Sequence, residues 1–166
     1  MQLRPKQFLV ARALLAAGLL LAASPAPAQR AAPEPLSAFP QSLLAIRTSS
    51  GKVVNFKIWE ADTPQREEQG MMFIREMDEH TGMLFMFPEN HRVRMWMKNT
   101  YVSLDLLFLN AQGKIDYIAA KATPQSEDII GPATPEFAVL ELKGGACEQF
   151  GIQVGDKVLH RNFKKP

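Results

Sequence analysis

Cysteine is almost absent from this chain. Cys147 is the single one among 166 residues, so no internal disulfide can form in any compartment. Histidine is nearly as scarce, with three, and no His, Cys and carboxylate cluster has zinc-ligand spacing. The sequence lacks a nucleophile elbow, a phosphate loop, a dinucleotide glycine fingerprint and a histidine placed with triad partners. These gaps leave little machinery for covalent, zinc-assisted or nucleotide-dependent catalysis. No apolar run reaches the about 20 residues of a membrane span. Excess charge is missing as well. Of 19 Lys and Arg, three fall in residues 1–28, which hold none of the 17 Asp and Glu, so the remaining chain carries a net charge of −1. A nucleic-acid groove, which needs a basic face, is not expected.

The first 28 residues read as a secretory signal. Arg4, Lys6 and Arg12 precede an apolar run from Ala13 to Ala23, and Ala26-Pro27-Ala28 offers a small-x-small cleavage site before Gln29. The expected location is periplasmic or secreted, with no membrane span after cleavage. Residues 29–40, with Pro33, Pro35 and Pro40, read as a linker that buries little. Residues 41–163 have the length of one domain able to bury a core.

Within that domain, Leu43 to Thr48 and Val53 to Trp59 flank Ser49-Ser50-Gly51-Lys52 and predict a hairpin. Thr63 is a helix N-cap with Pro64 at the first helical position, and the helix ends near Gly70. Met83–Phe87, Val93–Lys98, Leu104–Leu109, Ile115–Ala120, Phe137–Leu142 and Lys157–His160 predict further strands, and residues 146–150 a second short helix. Residues 123–135 read as a long loop. The expected fold is β-dominated α+β, with a mostly antiparallel barrel-like or sandwich sheet and two short helices.

Seven of the eight methionines fall between Met71 and Met97. Alternation over Val93–Lys98 puts Val93, Met95 and Met97 on one face, and Arg94, Trp96 and Lys98 on the other. Thioethers fill gaps in cores, and they also bind Cu(I). Core packing is the plainer reading. Met95, Met97 and His91 form the alternative, a Cu(I) site in a periplasmic copper-binding protein.

Several motifs in order resemble an uncharacterised family, domain of unknown function 192. They are Thr63-Pro64 with Gln69-Gly70-Met71-Met72, Gly82-Met83-Leu84-Phe85-Met86-Phe87-Pro88, Trp96-Met97-Lys98-Asn99-Thr100 with Leu104-Asp105, Val139-Leu140-Glu141-Leu142 with Gly145, and Gly155-Asp156-Lys157-Val158. The resemblance covers roughly residues 42–160. It departs at Met71, where the family usually has leucine. It implies a small β-rich fold and frequent export, and brings no activity, substrate or cofactor.

Candidate site residues therefore rest on chemistry. Asp105 interrupts an apolar run; it is a ligand contact or general acid, or a structural carboxylate that accepts backbone N–H groups. Glu141 lies in an alternating strand and faces solvent, or meets Asp105 in a two-carboxylate hydrolase site. Trp96, Lys98, Asn99 and Thr100 combine an aromatic plane with polar groups that could orient a sugar or peptide, or simply form a turn. The sequence supports a non-catalytic binding or accessory module of the cell envelope. Its expected ligand site is Trp96, Lys98, Asn99, Thr100, Asp105 and Glu141, with no cofactor. The expected partner is a small molecule, a peptide or an envelope protein.

Overall fold

The computed structural model describes residues 32–163, without the side chains of residues 88–91. The expected signal segment lies outside the described residues. By its internal contacts the chain divides into Met1–Ala32 and Pro33–Pro166, and the described strands and helices all belong to the second unit.

Seven strands form one sheet: β1 (Gln41–Arg47), β2 (Val53–Ala61), β3 (Thr81–His91), β4 (Leu104–Leu109), β5 (Ile115–Ala122), β6 (Glu136–Lys143) and β7 (Lys157–Leu159). Two short helices, α1 (Pro64–Gln69) and α2 (Ala146–Phe150), interrupt them. The order is β5-β4-β6-β3-β2-β1-β7. Neighbours are antiparallel except β2 and β3, which run parallel and are joined through α1. The expected β-dominated, mostly antiparallel fold with two short helices is what the chain adopts, as a mixed sheet curled into a half-barrel. A bridge between Lys114 and Lys157 links the ends of the sheet, where the Val158 N–H donates to the Gly113 carbonyl over 2.7 Å.

The curl creates two cores. One takes residues from all seven strands, among them Ile46, Phe56, Leu84, Leu107, Ile115, Leu140 and Val158, and α2 closes it with Ala146 and Cys147. This is the inside of the half-barrel. The other lies on the opposite face of β3, β4 and β6, where Met83, Phe85, Leu104, Leu106, Phe108 and Val139 are covered by Met71, Met77, Val93 and Met97. Each fully buried Leu, Met or Phe contributes about 1.5–3 kcal/mol. Period-two alternation explains the division: along β6, Leu140 and Leu142 point inward, and Val139 points out.

Two expectations need correction. Residues 93–98 form no strand. Met95 makes one bridge, to Ile130, and the Met97 N–H donates to the Ser126 carbonyl over 2.9 Å. The long loop satisfies these donors, so no ladder is required. The face division still holds: Val93 and Met97 are buried, and Arg94 and Trp96 are exposed. The linker is also not a free tether over its described part. Phe39 is buried in the outer core, Glu34 pairs with Arg66 at 2.8 Å, and the Glu34 backbone makes two bonds with the Gln69 side chain. One aromatic and one carboxylate among the prolines suffice to dock it on α1.

Candidate functional site

α1 starts as its sequence dictates. The Arg66 N–H donates to the Thr63 hydroxyl, and Pro64 needs no donor partner at the first position. Gly70 ends the helix at φ 49, a region that favours glycine. A methyl group there would lie 3.1 Å from the Phe85 ring and 4.0 Å from Glu141 Oε2. The bare backbone of Gly70 therefore sits over the carboxyl of Glu141. Around this point Met71, Met72, Arg94, Met95, Trp96 and Thr100 enclose a cleft of about 210 Å³ whose floor is Phe85 and Glu141.

Glu141 is the unusual group. It lies on the outer-core face of β6, in register with Met83 of β3 and Leu106 of β4. It is 4 % exposed, and its Oε2 has no hydrogen-bond partner among the described residues. Burial pushes its pKa up to about 8, because an apolar surrounding disfavours the charged form. At neutral pH the side chain is mostly a neutral carboxylic acid at the base of the cleft. The expectation that it faces solvent is wrong: Gly70 lies over it, and the outer core of Met71, Met77, Val93 and Met97 covers this face of the sheet.

Asp105 lies elsewhere. It faces inward, one residue out of phase with Leu106, which pairs with Glu141. The two carboxylates stand on opposite faces of the sheet, so the two-carboxylate hydrolase site does not exist. Asp105 is fully buried and accepts three backbone N–H groups, from Lys121 at 2.7 Å, Gly145 at 3.0 Å and Cys147 at 2.8 Å. The register of β4 against β5 shifts at this point, and Lys121 takes φ 50. Its N–H thereby leaves the ladder and reaches the carboxylate. Asp105 pins β4, the end of β5 and the start of α2 together; it is no ligand contact.

The Trp96–Thr100 segment divides by role. Trp96 is 42 % exposed and walls the cleft, and Thr100 is buried at its edge. Lys98 braces Trp96 instead of lining the cleft, with Nζ 5.2 Å from the indole centroid and 3.5 Å from Glu127. Asn99 shapes the turn at φ 55, and its carbonyl accepts the Phe73 N–H over 2.8 Å.

The residues of the expected copper set, Met95, Met97 and His91, take different places. Met97 is fully buried in the outer core, Met95 lines the cleft, and the His91 side chain lies outside the described residues. Gly70, Met71, Met72, Phe85 and Arg94 were not among the sequence candidates. Four of these five belong to motifs that carry the family resemblance, which was the available signal.

Another group tests for catalysis. Ser42 Oγ lies 2.9 Å from His160 Nε2, but Glu60 approaches the same nitrogen at 3.9 Å, and His160 Nδ1 faces the Asn162 N–H. A nucleophile triad needs the acid on the other nitrogen, so this cluster is a packing contact. Cys147 is also inert: burial first, and then Asp105 beside it, push its thiol pKa far up.

Fold and cleft thus define a small, half-barrel β domain with a single buried acid under a glycine. The profile of the family DUF192, described as uncharacterised, matches residues 45–160, and the chain belongs to that family. A solved structure from Sinorhizobium meliloti, described as a candidate transcription regulator, is 39% identical, covers 73% of this chain and 94% of its own, and superposes with a TM-score of 0.72. A protein of unknown function from Novosphingobium aromaticivorans is 32% identical, with 80% and 94% covered and the same TM-score of 0.72. None of the curated proteins compared with the chain matches it. Among the described residues no helix is long and apolar enough to cross a membrane.

Proposed function

We propose that this chain is an exported, non-catalytic binding module of the cell envelope, and that it holds a small ligand in the cleft between Gly70 and Trp96. The observation that carries this reading is Glu141. A buried carboxyl with an unbonded oxygen costs about 1–3 kcal/mol, and an apolar residue of the same size would avoid that cost. The group lies at a cleft walled by an exposed tryptophan and thioethers, with Glu67, Glu68, Gln69, Arg94 and Thr100 also in its lining, the mixture of apolar surface and polar groups that marks ligand sites. A two-carboxylate pairing with Asp105 is not part of the reading, because Asp105 faces the other side of the sheet. Export rests on the basic, apolar and small-residue order of residues 1–28.

Ligand binding is tested by indole fluorescence in a Trp59→Phe background, which leaves Trp96 as reporter. The panel contains monosaccharides, short peptides, small amides, amines and carboxylic acids. Trp96→Ala and Glu141→Leu should abolish every response, followed for these variants by ligand-observed NMR, with circular dichroism unchanged. Ligands that bind both variants as well as the parent would refute the cleft assignment. Export is tested by fractionation: the chain should appear outside the cytoplasm at reduced size, and deletion of residues 2–28 should retain it inside.

A further inference from the structure

Resting on that reading of the cleft, we propose that its occupant is a soft monovalent cation, Cu(I) or its congener Ag(I), held by the thioethers of Met71, Met72 and Met95 with the Glu141 carboxylate as the compensating anion. The structure brings together what the sequence leaves scattered. Met71 and Met72 follow the end of α1, Met95 comes from the loop after β3, and Glu141 comes from β6, yet all four line one cleft. Of the donors among them, three are thioether sulfurs and one is a carboxyl whose Oε2 has no hydrogen-bond partner among the described residues.

Thioethers are poor ligands for hard cations and good ones for Cu(I), which they bind without adding charge. A single carboxylate then neutralises the ion, and the low dielectric that penalises either charge alone strengthens the pair. Hard dications such as Ca²⁺ want six or more oxygen ligands, and thioethers supply none. The exposed indole of Trp96 closes the outer side, where an aromatic face attracts a cation.

Binding sets the cation beside the Glu141 carboxyl at the cleft floor, with no change of oxidation state. Met83 and Leu106, which flank Glu141 in register, carry no charge. The charged groups at the cleft are Glu67 and Glu68 of α1 and Arg94 of the loop. Met97, buried in the outer core, takes no part.

The test uses the purified protein with Cys147→Ala, so that the thiol cannot supply the ligand. Ag(I) is titrated by calorimetry, and Cu(I) is titrated anaerobically against a bicinchoninate competitor. One equivalent should bind, with affinity at least tenfold weaker in Met71→Leu/Met72→Leu/Met95→Leu, a volume-conserving change. Affinity should also be at least tenfold weaker in Glu141→Gln. In protein carrying ¹³C-methyl methionine, Ag(I) should shift the Met71, Met72 and Met95 methyl signals and leave Met83 and Met97 in place. This readout needs no variant to fold. Equal binding by the triple-leucine protein, or methyl shifts confined to other methionines, overturns the proposal. If Ag(I) leaves the methyl signals unmoved while organic ligands still act through Trp96, the cation is refuted and the cleft reading survives. If neither acts, both fall.

Discussion

Two acidic side chains one strand apart show how surroundings decide what a residue does. Asp105 and Glu141 are both buried. Asp105 is met by three backbone N–H groups, and the Oε2 of Glu141 by none among the described residues. Their substitutions should therefore act in opposite directions. Asp105→Ala orphans three donors inside the fold and should cost about 3–5 kcal/mol in urea unfolding, since each lost bond to a charged group is worth about 1.5–3 kcal/mol. For Glu141 the folded pKa stands raised from 4.5 to about 8. Its contribution is fully present below the unfolded value and is lost as pH rises toward and through about 8, because the folded state must then hold a buried charge. Stability of the parent should fall between pH 5 and pH 9 by on the order of 4 kcal/mol. Glu141→Gln should remove that slope, and a slope that persists in it would assign the loss to another group. His160 carries the opposite sign. Burial holds its pKa below 6.5, with Glu60 acting against this and Arg161 in the same direction, so its effect is a loss of stability as pH falls below 6.5, opposite in slope to that of Glu141 and absent above pH 7.

At the scale of elements, the helix α1 matters for where it stops. Gly70 terminates it with a positive φ and places its backbone over Phe85 and Glu141. Gly70→Ala should cost about 1–3 kcal/mol from the backbone conformation alone. It should also weaken ligand binding, because the new methyl crowds Phe85 at the cleft floor. An unchanged melting temperature would show that the turn relaxes freely. The elements with local signals were legible in the sequence. The hairpin from β1 to β2 follows from Gly51 between alternating runs, and α1 from Thr63-Pro64. Residues 93–98 have the alternation of a strand and adopt its burial pattern without its ladder, because strand formation depends on a partner that alternation cannot reveal. Glu141 was ambiguous for a related reason: whether a strand residue meets solvent or a second layer is decided by what packs over its face, here the segment after α1 and the loop after β3. The motifs Gln69–Met72, Trp96–Thr100 and Val139–Leu142 were each visible, but their meeting at one cleft depends on the parallel placement of β3 beside β2 and on the insertion of β6 between β3 and β4. Local propensity carries no information about either.

For the whole molecule, the half-barrel depends on the seam between the two ends of its sheet. The order β5-β4-β6-β3-β2-β1-β7 leaves β5 and β7 at opposite ends, and curling brings them within reach of three backbone bonds: Val158 N–H to Gly113, Ile115 N–H to Asp156 and Gly155 N–H to Ile115. Gly113 makes the approach possible. It has φ 79, and a methyl group there would stand 2.7 Å from the Val158 carbonyl oxygen and 2.8 Å from the Phe163 ring, closer than packed atoms allow. Gly113→Ala should force the seam apart, with a cost of about 2 kcal/mol or more from overpacking and from the strained backbone. The candidate cleft lies on the outer face of β3 and β6, in the middle of the sheet order, and shares no residue with the seam. The expected outcome is therefore selective. Hydrogen exchange at Val158, Ile115 and Gly155 should quicken by at least tenfold, and the Glu141 titration and cleft binding should stay at parent values. Loss of protection spread evenly over β3, β4 and β6 would show instead that the sheet and its seam unfold as a single unit, and that the cleft depends on closure.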